Sequence, residues 1–184
     1  MERLAVVFVL ASIAALAGPM DASARVLLTR DEALRQIFGS KAQVSVRSAY
    51  LTDGQMDSVR RRAQAPFTQR RVTYYVVQSD SALGTAFVDQ GIIRSQTGTI
   101  LIALDPGGRV RAVEILAWNE PDDFLPSERW LERARGLSRP ANTRPGDAMP
   151  HIAGATLSAR AITAAIRRAM ALREILAIDA PGRR

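Results

Sequence analysis

The tetrapeptide Asp105-Pro106-Gly107-Gly108 stands between two apolar, β-branched runs, Thr99 to Leu104 and Val110 to Trp118. Proline presets φ at the start of a turn, and the glycines accept dihedrals that other residues resist. The chain has to double back there, so the two runs are antiparallel neighbours in a hairpin. Upstream the same grammar repeats. Val72-Thr73-Tyr74-Tyr75-Val76-Val77 is β-branched and aromatic, Ser79-Asp80-Ser81 breaks it, and Leu83 to Ile93 fits a returning strand. Strands joined by short reversals, without the long crossovers of a βαβ unit, predict an antiparallel sheet.

Helices flank these strands. Thr29-Arg30-Asp31-Glu32 is a capping box that opens a helix through Phe38, with Gly39 at the stop position. Val44, Val46 and Ser48 then alternate as in a strand, and Thr52-Asp53 caps a second helix running through Arg60-Arg61-Arg62. A loop from Asn119 to Pro126 leads to a helix capped by Ser127, and a polar, proline-bearing connection follows Gly136. The last helix starts near Thr156 or Ser158 and ends around Leu176. Ile162, Ile166, Ala169 and Leu176 form its apolar face, while Arg160 and Arg167 share another. The class is α+β: an antiparallel twisted sheet flanked by helices.

The start of the chain belongs to targeting rather than to the fold. Glu2 and Arg3 precede an apolar run from Leu4 to Ala17, followed by Gly18-Pro19 and Ala22-Ser23-Ala24. A charged start, a short apolar core and an A-x-A site predict a secretory signal peptide over residues 1–24. The run is shorter than the roughly 20 residues that span a bilayer; an uncleaved membrane anchor is the competing reading. The expected location is periplasmic or otherwise extracytoplasmic.

Composition removes whole classes of chemistry. Without cysteine there are no disulfides, thiolate metal sites or thiol nucleophiles, and the lone His151 makes a histidine-built metal site or triad improbable. The formal net charge is +7, and every basic residue but Lys41 and His151 is an arginine. These arginines are spread along the chain without interleaved aromatics or a nucleic-acid motif, so no nucleic-acid partner is expected. Solvated helix faces, peripheral contact with an anionic membrane or an acidic partner account for the charge. Asp122 and Asp123 beside Glu120 lack the spacing of a calcium loop, so no metal is expected.

The chemistry concentrates in Ile152-Ala153-Gly154-Ala155-Thr156-Leu157-Ser158. Small residues and two hydroxyls at the mouth of a helix make an anion site, because unpaired N–H groups and the helix dipole favour negative charge there. The plainer role for Thr156 or Ser158 is that of an N-cap. Trp118 and Trp130 read first as core residues, His151 as an exposed loop residue, and Glu120 as a solvated loop carboxylate.

Gly154-Ala155-Thr156-Leu157-Ser158, with Ala159-Arg160-Ala161-Ile162 after it, resembles the flavinylation motif of the FMN-binding domain family. This family includes flavin subunits of the Rnf complex and of the sodium-pumping NADH:quinone reductase. Gln96-Thr97-Gly98-Thr99-Ile100, the glycine-turned hairpin after it, and Glu114 to Pro121 are similar to further family segments. The resemblance covers roughly Tyr74 to Leu172. Two positions depart from it: Ala153 replaces the Ser or Thr before the glycine, and Pro150 stands where an aspartate is usual.

The resemblance implies FMN held by a phosphodiester bond to the Thr156 hydroxyl, at the point where the C-terminal amphipathic helix opens. Gly154, Ala155, Leu157 and Ser158 would surround the phosphate, and Glu120, Thr97 and Gly98 would contribute to the flavin site. It divides the chain into the signal peptide, an N-terminal helix-strand-helix segment (25–70), an FMN-binding domain (71–177) and a basic tail (178–184). It further implies maturation by an FAD-dependent flavin transferase and exchange of electrons with a membrane redox protein or complex. The competing class is a binding module that keeps the fold but holds FMN or another anion non-covalently, or only a partner protein.

Overall fold

The structure is a computed structural model that describes residues 25–79, 83–138, 140 and 143–178. The expected signal peptide, the break at Asp80 and Ser81 and the tail beyond Ile178 lie outside the described residues.

Five strands form one antiparallel sheet in sequence order: β1 (Gln43–Tyr50), β2 (Arg71–Gln78), β3 (Leu83–Ile92), β4 (Thr97–Leu104) and β5 (Val110–Trp118). The predicted hairpin is β4–β5. Its turn is closed by Gly108 N–H donating to the Asp105 carbonyl at 2.9 Å, while the Asp105 carboxylate accepts from Arg109 N–H at 2.8 Å. β1 pairs with β2 along its whole length. A boundary at residue 70 therefore falls between two strands of one sheet.

Among the described residues four α-helices, α1 (Arg30–Phe38), α2 (Asp53–Ala63), α3 (Glu128–Glu132) and α4 (Thr156–Ile175), and a short 3-10 turn at Asp122–Phe124 complete the fold. The first opens with the capping box expected at Thr29 with Glu32; the second is capped by Thr52 as expected, and there the structure adds a box with Gln55; Ser127 caps α3. Side chains alternate between the two faces of a sheet, which splits the core in two. One cluster packs Phe87, Ile100, Ile102, Val113 and Trp118 against α2, α3 and α4; the other packs Tyr75, Ala86, Leu101 and Ala103 against Ala33, Leu34 and Phe38 of α1. Among the described residues no helix is long and apolar enough to cross a membrane.

One expectation needs correction. Arg160 is exposed, but Arg167, two turns along the same face, is buried at 8 % exposure. The end of α2 and the loop at Thr143 cover that stretch, and the guanidinium donates to the carbonyls of Ala63 (2.6 Å) and Thr143 (3.2 Å). Leu176 is the C-cap of α4 and packs half-buried against the first cluster, in keeping with the expected helix end and apolar face.

Candidate functional site

α4 is a 20-residue helix with an undressed N-terminus. Its N-cap position is Ala155, which has no side-chain oxygen to receive a first-turn N–H. Neither Thr156 nor Ser158 fills the capping role that their residue types suggest. Thr156 is the first helical residue and exposed; Ser158 is fully buried in the first turn, and its Oγ has no hydrogen-bond partner. A buried hydroxyl without a partner forfeits free energy, so such atoms are uncommon in folded chains.

The approach to the helix is built from small residues. Gly154 sits at φ +73°, in the left-handed region that favours glycine, and a Cβ added there would meet open space. The space in front of the helix is thus free of side chains from Gly154. Ala155 is buried and Leu157 is 47 % exposed. Trp130 Nε1 donates to the Pro150 carbonyl at 2.8 Å, tying the incoming loop to α3. His151 is exposed, with its ring near Gly146.

The remaining predicted residues gather on the sheet end where β3 turns into β4 and β5 stops. Glu120 is not the solvated carboxylate its loop position suggests, since it is 5 % exposed. Its Oε1 accepts from the backbone N–H groups of Arg94 (2.9 Å), Ser95 (2.6 Å) and Gln96 (2.8 Å), so one oxygen closes the β3–β4 turn. Burial pushes this carboxyl up, but the N–H groups of Gln96, Ser95 and Arg94, with the Arg94 charge, outweigh it and set it below the ordinary glutamate value.

Thr97 accepts at Oγ1 from the Asn119 side-chain amide at 2.9 Å, and Asn119 Oδ1 accepts from Arg25 N–H at 3.1 Å. Gly98 has a packing reason: a Cβ there would lie 2.8 Å from Ile93 Cγ1 and 3.5 Å from the Trp118 ring. Arg94 stacks its guanidinium on Phe124, 3.4 Å from the ring centroid. Asp122 pairs with Arg25 at 2.5 Å.

The structure thus sorts the predicted residues into two groups. Gly154, Ala155, Thr156, Leu157 and Ser158 open α4; Thr97, Gly98 and Glu120 brace the turn. Among the described residues no hydrogen bond joins the groups, but one apolar cluster holding Trp118, Trp130, Met149 and Ala159 lies beneath both. Both indoles are core residues, as expected, and the Trp118 Nε1 has no partner.

Sequence reasoning missed the Asp89–Arg168 pair. Two 2.7 Å hydrogen bonds join these side chains, which are 20 % and 17 % exposed. They line a groove of about 350 Å³ between α4 and the Pro66–Gln69 loop. Ala161 lines it as well, five residues or about 7.5 Å along α4 from Thr156. Only the seven-residue spacing of Ala161 and Arg168 hinted that the two share a helix face.

No protein-family model, curated protein or solved structure matches the chain, which leaves the undressed opening of α4 and the clamp at Glu120 as the features from which function is argued.

Proposed function

We propose that this chain is an extracytoplasmic flavoprotein that carries FMN on Thr156 and passes electrons to or from a membrane redox partner. The observation that supports the reading most is the opening of α4, where an exposed hydroxyl stands at the first position of a helix that no side chain caps. The residues fit the group. First-turn N–H groups and the helix dipole suit a phosphodiester anion, and Ser158 Oγ offers a buried polar atom with no partner among the described residues. When bound, FMN supplies one- or two-electron chemistry.

Attachment requires a separate flavin transferase. The Thr156 oxygen bonds to the FMN-side phosphorus of FAD, the pyrophosphate linkage breaks, and AMP leaves as the hydroxyl gives up its proton. In this scheme the chain is a substrate of maturation and then a carrier. Glu120 contributes by fixing the Arg94–Gln96 turn, and with it Thr97 and Gly98, rather than by offering a free carboxylate.

A second reading is favoured by two residues, Ala153 and Pro150, where the family has a hydroxyl and an aspartate. In it the same site holds FMN or another anion without a covalent bond. Co-production with a transferase in an exporting host separates the readings. Covalent flavin gives a protein that stays fluorescent on a denaturing gel, with a mass increased by one FMN less one water, and Thr156→Ala abolishes both signals. Wild-type protein without the added mass sinks the covalent reading.

A further inference from the structure

We infer that β1 is a docking edge for an acidic, extended segment of another protein, which adds to the sheet as a sixth strand. β1 is the outer strand of the sheet, and seven of its eight residues are exposed, with Ala49 half-buried. An edge strand turns half of its backbone N–H and C=O groups away from its neighbour, a template for another strand. Val44, Val46 and Tyr50 share one face of β1 and are 40 %, 60 % and 74 % exposed. Beside the two valines, a cavity of about 330 Å³ reaches Arg35 of α1.

Charge selects the occupant. Lys41 precedes the strand, Arg47 lies within it, and Arg71 of β2 stands opposite Tyr50. Among the described residues, Arg35, Lys41, Arg47 and Arg71 enter no ion pair. The nearby acids are committed elsewhere, Asp31 to Arg30 and Asp53 to Arg70. A second copy pairing edge to edge would bring these cations against their own kind, which is how charged residues close an edge to self-association. The same cations attract a strand that alternates apolar and acidic side chains. An anionic lipid surface could meet the charges but has no backbone to complete the ladder.

The test uses the whole chain and a short fluorescent peptide alternating valine and glutamate, with a valine–lysine peptide as the control. Expected are slowed amide exchange within Val44–Tyr50 on adding the acidic peptide, and a roughly tenfold weaker affinity in strong salt. The Lys41→Glu, Arg47→Glu, Arg71→Glu triple variant, with surface changes that spare the core, is expected to reverse the preference toward the lysine peptide. Unchanged exchange in β1 at saturating peptide, or equal protection by both peptides, overturns the inference. So does protection of β1 by added chain alone, which assigns the edge to a second copy, or by anionic phosphatidylglycerol vesicles alone, which assigns it to lipid. None of these outcomes depends on whether Thr156 carries flavin.

Discussion

Glu120 Oε1 lies 2.6 Å from the backbone nitrogen of Ser95, a residue 25 positions earlier, and accepts from the nitrogens of Arg94 and Gln96 as well. One carboxylate oxygen therefore fixes a turn between two strands and anchors the loop that follows β5. Its pKa is lowered in the folded chain, so the unfolded chain binds the proton more readily. The stability from Glu120 is present above the ordinary glutamate value of about 4.3 and is lost as pH falls through the lower folded value. Glu120→Gln keeps one acceptor and is expected to flatten this acid-side loss in urea titrations between about pH 5 and pH 3. Glu120→Ala leaves three N–H groups without their acceptor and is expected to cost about 2–3 kcal/mol at pH 7. An acid limb unchanged in Glu120→Gln would show that the clamp does not couple to protonation.

Arg167 stabilises a different junction. Among the described residues it has no carboxylate partner; its guanidinium bridges two carbonyls, and burial, then Arg144 and Arg168, lowers its pKa. Arg167→Ala removes the bridge and the packing of the stem, leaves the Ala63 carbonyl without this donor, and is expected to cost about 2–3 kcal/mol in urea unfolding. Arg167→Met keeps the stem and also relieves the burial of a charge, so its cost is expected to be smaller. Equal losses in both variants would assign the whole effect to the two hydrogen bonds.

What the sequence disclosed and what it withheld divide by range. The hairpin at Asp105–Gly108, the box at Thr29 and the cap at Thr52 were legible because their partners lie within a few residues. Val44 and Val46 announced a strand, yet a period of two is silent about how far either face is covered, and both valines stay exposed. Arg160 and Arg167 share a face by spacing; only the arrival of α2 and of the loop at Thr143, distant in sequence, buries one of them. Glu120 looked solvated because its three donors sit across the β4–β5 hairpin. At α4 the hydroxyls suggested a cap, but the chain enters one residue too early. Ala155 takes the N-cap position, and Thr156 becomes the first helical residue.

Ser158 offers the sharpest separation of stability from function. Its Oγ is fully buried without a partner, so Ser158→Ala deletes an uncompensated polar atom and adds a better helix former. In protein lacking flavin this substitution is expected to raise stability by about 1 kcal/mol, where loss of a true cap would lower it by about as much. Thr156→Ala, at an exposed residue that caps nothing, is expected to stay within about 0.5 kcal/mol of wild type. In the flavin-loaded protein the order changes. If the phosphate sits at the opening of α4 as proposed, the Ser158 hydroxyl gains an oxygen to donate to, and a hydrogen bond to a charged acceptor is worth about 1.5–3 kcal/mol. Ser158→Ala is therefore expected to stabilise the empty chain and destabilise the loaded one, read as opposite shifts of the urea midpoint. A loss in both states would mean that the hydroxyl serves the fold whether or not flavin is present, and the fit of this site to a phosphate would lose its second support.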